Sequence, residues 1–194
     1  MKRFILFFGI IAFSFGNLLN AQELMRVYDS HTGLYGYKYE DSDKWVVKPQ
    51  YMHAGDFYNG LACVIKEKGY HKDKHGAILC SKCFAGYIDE KGKIAIPLKF
   101  EWANDFSEGL AVVKVWDETS IFYWRFGYID TKGTLVIPAR YDYAEPFRNG
   151  QAKVRWYDER GYCWEAYIDQ EGRRGEKSQV GNSRLPIGQT KPRW

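Results

Sequence analysis

Three stretches of this chain can be laid over one another. Residues 49–64 read PQYMHAGDFYNGLACV, residues 97–113 PLKFEWANDFSEGLAVV and residues 138–154 PARYDYAEPFRNGQAKV, with one deletion in the first copy. Pro49, Pro97 and Pro138 share a column, as do Tyr51, Phe100 and Tyr141, and Ala54, Ala103 and Ala144. Phe57, Phe106 and Phe147 each precede a glycine by three residues. A second block links the copies: GYIDEKG at 86–92, GYIDTKG at 127–133 and AYIDQEG at 166–172, with a degenerate start at Gly36-Tyr37. From Gly86 to Gly127, and again from Pro97 to Pro138, the spacing is 41 residues. A period near 40 residues is one supersecondary unit, and such a unit buries its apolar face only against neighbours of its own kind. The chain must fold as an array.

The residues of one period dictate its local structure. Tyr87 and Ile88 start a strand, Asp89 accepts backbone hydrogen bonds two residues on, and Gly92 supplies the positive φ of a tight hairpin. Residues 94–96 return, and Pro97, having no N–H, ends ladder pairing or sits at a sheet edge. A loop carrying the aromatic, Ala and Phe anchors leads to Gly109, and residues 110–115 form a third strand. Each period therefore predicts a three-stranded antiparallel meander. The fold class is all-β: about three and a half stacked meanders over residues 22–175, with an open propeller-like arrangement as the alternative. Residues 23–28 are a candidate N-terminal cap strand, and 176–194, rich in Gly, Ser, Pro and charge, read as a flexible polar tail.

Upstream of the array, Lys2 and Arg3 precede an apolar stretch at 4–15, and Ala21 offers a small residue at a cleavage position. That is the pattern of a secretory signal peptide over 1–21, too short to anchor in a bilayer. No Cys follows the cut, the first being Cys63, so a lipoprotein is not expected. Export to the periplasm or the medium is expected, with no integral span in the mature chain. Losing Lys2 and Arg3 lowers the formal charge from +4 to about +2, and the remaining charges are interspersed. This argues against nucleic acid and polybasic membrane binding.

The pattern resembles the WG-repeat family of bacterial proteins. The shared features are the Gly-Tyr-Ile-Asp strand, the Lys-Gly turn, the Ile-Pro strand end and the Phe-x-x-Gly-Leu-Ala-x-Val strand, over about residues 34–172. The Trp that precedes the Gly in the family is replaced here by Tyr35, Ala85 and Phe126. The resemblance implies an interaction scaffold and brings no catalytic residues.

The chain carries no nucleophile elbow, phosphate loop, dinucleotide fingerprint or paired-His zinc helix, so neither enzymatic activity nor a cofactor is expected. The recurring Asp89, Asp130 and Asp169 stand where hairpin capping needs them. An insertion holds His71, His75, Cys80 and Cys83. It offers either a Cys80–Cys83 disulfide, which needs a turn at Ser81-Lys82, or, less favoured, a zinc site. Aromatic residues crowd two equivalent connections: Trp116, Phe122, Tyr123 and Trp124, then Trp156, Tyr157, Tyr162 and Trp164. Trp116, Tyr123, Trp124, Trp156, Tyr162 and Trp164 are the candidate binding residues, for a protein partner or a surface glycan. Trp124 and Trp164 stand at near-equivalent places and are expected to floor one groove. The opposing reading is cross-strand packing. One measurement tests the address directly: protein recovered from the envelope or medium of a bacterial host should begin at Gln22 by intact mass, and a retained Met1 would contradict export.

Overall fold

The polypeptide advances by antiparallel strands alone in this computed structural model, which describes residues 23–67, 70–72, 78–80, 83–120 and 122–184. Strands β1 (Leu24–Asp29), β2 (Leu34–Tyr39) and β3 (Trp45–Tyr51) make a three-stranded sheet. The second sheet contains β4 (His53–Ala54) and β5 (Leu61–Glu67). A separate hairpin, β6 (Tyr70–Lys72) and β7 (Ile78–Cys80), then intervenes before β8 (Cys83–Asp89) and β9 (Ile94–Phe100) complete that sheet. The third sheet is β10 (Trp102–Ala103), β11 (Leu110–Trp116), β12 (Trp124–Asp130) and β13 (Leu135–Tyr141). The fourth is β14 (Tyr143–Ala144), β15 (Ala152–Tyr157), β16 (Tyr162–Ile168) and β17 (Ser178–Arg184).

The sheets are phased differently from the meander read in the sequence. The strand after each Phe-x-x-Gly loop pairs with the next Gly-Tyr-Ile-Asp strand, not with the return strand before it. The chain changes sheet across a single residue: Met52, Glu101 or Asp142. Proline gives the reason. Pro97 lies inside β9, an edge strand whose register with β8 shifts between Tyr87 and Ala85, and a residue without N–H makes that edge a poor place to add a strand. Of the two places open to Pro97, the structure takes the edge.

The same crossing explains the glycine that opens each Gly-Tyr-Ile-Asp strand. A Cβ on Gly86 would lie 2.7 Å from the carbonyl oxygen of Ile96, and one on Gly127 would lie 2.7 Å from that of Ile137. Only glycine lets the shifted Ile-Pro segment cross so close. The fourth unit has no Ile-Pro strand, and there the position is filled by buried Ala166.

Consecutive sheets stack face to face, so their middle strands are buried on both faces. Cys63 and Tyr87 face forward into one core with Phe106, Ala111, Val113 and Ile129, while Ala62, Val64 and Ile88 face back into another with Tyr37 and Val47. Val112 and Tyr128 then meet Phe147, Ala152, Val154 and Ile168. A recurring clasp joins each pair of sheets. Tyr37, Tyr87 and Tyr128 donate their hydroxyls to the carbonyls of Gly55, Asn104 and Glu145, at 3.0, 2.6 and 2.8 Å. Their rings pack on Phe57, Phe106 and Phe147 of the same loops, with centroids 5.0, 4.7 and 4.9 Å apart. Tyr167, the fourth of the series, meets no further loop among the described residues and is 52% exposed.

Turns and loops stack in the same rhythm. Asp89 Oδ1 accepts from the N–H groups of Lys91 and Lys93, and Asp130 and Asp169 repeat the pair of bonds. Gly92 turns with φ at 78°, and a Cβ there would strike Val47 of the previous sheet. Glu108 occupies a left-handed turn position (φ 53°) that holds Asn59 and Asn149 in the other units. Its carboxylate accepts from the N–H groups of Asn149 and Gly150, at 2.6 and 2.8 Å, so the strained side chain ties one loop to the next.

The ends differ from expectation in one respect. β1 supplies the N-terminal strand, but residues 178–184, read as part of a flexible tail, form β17 on the outer edge of β16. That edge lacks an Ile-Pro return strand, and its free hydrogen-bonding groups recruit the following chain. Phe106 and Phe147 are 4% and 0% exposed, so Phe106→Ala and Phe147→Ala should each cost about 3–5 kcal/mol in chemical denaturation. Half-buried Phe57→Ala should cost less. Parental midpoints for the first two would show that sheet stacking does not rest on this column.

Candidate functional site

Between the third and fourth sheets lies a cleft of about 690 Å³. Its lining comes from β11 and β12 (Lys114, Trp124, Phe126), from the connection between them (Phe122), and from the fourth sheet and its approach (Asp142, Tyr143, Arg155, Tyr157, Cys163, Val180). The β11–β12 connection is shaped by its own polar residues. Asp117 accepts from the backbone N–H and the hydroxyl of Thr119, at 2.9 and 2.6 Å, and the buried Ser120 hydroxyl accepts from the Phe122 N–H. Tyr123 then adopts φ 62°, a conformation that costs a bulky residue about 1–3 kcal/mol. This reversal lays the Tyr123 ring on Trp116, 5.3 Å between centroids and 20° from parallel, and brings Phe122 to 5.8 Å from Tyr157.

The cleft has one lining carboxylate, and it is engaged. Asp142, whose side chain is only 4% exposed, pairs with Arg125 and accepts from the N–H of Tyr157 at 2.9 Å. Burial pushes its carboxyl above the usual value, opposed by that N–H and by the guanidinium. Arg125 also lies 3.5 Å from Asp117. Arg155 is paired with Glu165 at 3.0 Å and sits over the ring of Tyr143. Lys114 places its Nζ 3.8 Å from the centroid of Trp124, and burial lowers its pKa against a smaller opposing effect of Glu101. Burial also raises the Cys163 thiol, which is not bonded to another cysteine.

The six aromatic candidates are not all in one place. Trp116 pairs across the ladder with Trp124, and Trp156 with Trp164. Trp116 corresponds to Tyr157, so the residue in register with Trp124 is Cys163, opposite Tyr157, and Trp164 corresponds to Arg125. The expected equivalence of Trp124 and Trp164 fails by one residue. Trp164 is not among the residues that line the cleft, so the two rings do not floor one groove. Trp124 lines the cleft. Trp164 instead donates its Nε1–H to Asp158 at 2.9 Å and is covered by Lys177, while Trp156 packs against the adjoining core under Arg174. Tyr162 is half buried on β16, and Trp116 is 58% exposed. Phe122 and Tyr157, named with the two aromatic connections, both line the cleft, whereas Lys114, Asp142, Tyr143 and Arg155 were not among the candidates.

Within the insertion, Cys83 is disulfide-bonded. The side chains of His71 and Cys80, and all of His75, lie outside the described residues. Among the described residues, no three His, Cys, Asp or Glu side chains converge in a metal-binding group.

A family model described as "WG containing repeat" matches the chain three times, at residues 39–70, 86–115 and 126–155. Comparison with curated proteins and with solved structures gives no match. The matched segments run across the sheet changes at Met52, Glu101 and Asp142, the last of which holds the cleft's ion pair.

Arg125→Met would leave the buried Asp142 charge with a single N–H partner and should destabilise the chain by about 2–4 kcal/mol at pH 7. Without the guanidinium the carboxyl pKa in the folded state rises further. The ionised form is then the costly one, so the deficit should shrink as pH falls through that raised value. Denaturation at pH 7 and at pH 4.5 checks this; a deficit independent of pH would contradict it.

Proposed function

Because this chain belongs to the WG-repeat family, we propose that it is a non-catalytic exported scaffold that binds a protein partner. The observation that carries this reading is the cleft between the third and fourth sheets. Its walls are aromatic, and its carboxylate is committed to Arg125 and the Tyr157 backbone. Aromatic surfaces of this kind give large contact area at small cost in side-chain entropy, which suits recognition. Elsewhere the repeated acids Asp89, Asp130 and Asp169 are spent on their own turns.

A second reading, a glycan-binding module, has one feature in its favour: exposed Trp116, stacked on Tyr123, offers a flat platform on which a sugar ring could rest.

The test is cross-linking of the mature chain in the envelope fraction of the producing cells, with a glycan array run beside it. The scaffold reading expects one discrete protein, cross-linked through the cleft side of the third and fourth sheets and reduced by Tyr157→Ala. Binding confined to the array and abolished by Trp116→Ala would replace it with the glycan module.

A further inference from the structure

One cation of the cleft is left without an ion pair. Arg125 pairs with both Asp142 and Asp117, and Arg155 with Glu165. Lys114, in the same lining, makes no ion pair within 4 Å among the described residues; its contact is the face of Trp124. Glu101 stands in the same neighbourhood without reaching ion-pair distance. The cleft thus presents a single half-buried ammonium without an ion-pair partner among the described residues, inside an aromatic enclosure.

A cation held this way recognises an anion with an apolar neighbour. The ammonium is partly desolvated, so an incoming carboxylate gains more from it than from an exposed lysine. Phe122 and Tyr157, packed together at the cleft, offer apolar surface beside it. A neutral sugar is poorly served. The lining carboxylate that would accept its hydroxyls is occupied, and the face of Trp124 on which its ring would lie is covered by Lys114. The acidic sugar of a uronate polymer meets the same covered face.

We infer that this cleft takes a peptide segment in which an Asp or Glu stands beside an aliphatic or aromatic residue, the carboxylate on Lys114 and the apolar side chain against Phe122 and Tyr157. The inference rests on the scaffold reading and gives its partner a chemistry.

The experiment is selection of a random dodecapeptide library on the immobilised mature chain, followed by fluorescence polarisation with one selected peptide. Selected sequences should pair an acid with an apolar neighbour. A twin peptide with Asp and Glu replaced by Asn and Gln should bind about tenfold more weakly or worse, as should the parent peptide to Lys114→Met. Lys114→Arg should retain binding, and raising NaCl from 50 to 500 mM should weaken it. If Lys114→Met does not fold, the amide twin and the salt series decide. Selected peptides without an acid, no selected peptide at all, or equal binding to a folded Lys114→Met would overturn the inference. So would binding of oligogalacturonate, and not of peptides, that depends on Lys114. Capture of the same envelope partner by wild type and by Lys114→Met would sink this cleft chemistry and leave the scaffold standing. Absence of any partner for wild type would sink the scaffold itself.

Discussion

The array depends on one clasp made three times. A buried tyrosine in the middle of one sheet gives its hydroxyl to a loop carbonyl of the next and its ring to the loop phenylalanine two residues later. The two halves of the contact constrain each other. A tyrosine hydroxyl buried without a partner costs about 1–3 kcal/mol, so the loop must arrive at one place, and the ring pair adds about 0.5–1.5 kcal/mol once it does. Stacking without this fixed point would be apolar surface against apolar surface, with little to set the offset between sheets.

Much else in the sequence serves that offset. The glycine before each tyrosine lets the Ile-Pro strand cross at van der Waals distance, and proline keeps that strand's outer edge from acquiring another. The turn glycine packs on the branched residue of the preceding sheet, as Gly133 does on Ile96. Ser107 donates to the carbonyl of Phe147 at 2.7 Å, and Glu108 grips the following turn. In the fourth unit the pattern relaxes in concert. Alanine replaces the strand glycine, Lys153 takes the place of Val112 opposite the tyrosine, and Tyr167 is half exposed. A unit whose forward face carries no neighbour in the described residues needs neither close crossing nor apolar facing.

The fold was legible because its signals repeat. Phe106, Gly86 and Asp89 would each be ambiguous alone, but the 41-residue recurrence marks them as parts of one device. The phase of the sheets was not legible, since a sequence block gives contiguity while Pro97 and Glu101 decide where the ladder breaks. The candidate site was read in part. Trp124 stands in the cleft, but Trp164, matched to it through a one-residue misalignment, is not part of the lining. Asp142 and Lys114 were missed because neither repeats. Their positions carry Met52 or Glu101 and Ile65 or Arg155 in other units, and their meaning arises only when two sheets bring them to one cleft.

The claim that the clasp couples adjacent sheets is tested most directly by a double-mutant cycle of Tyr128→Leu and Phe147→Leu, followed by urea denaturation. Coupling between the two substitutions should be about 0.5–1.5 kcal/mol, because each removes the partner of the other. Strictly additive losses would contradict the account, since the tyrosine and the phenylalanine would then stabilise their own sheets independently and the register of the array would have to come from elsewhere.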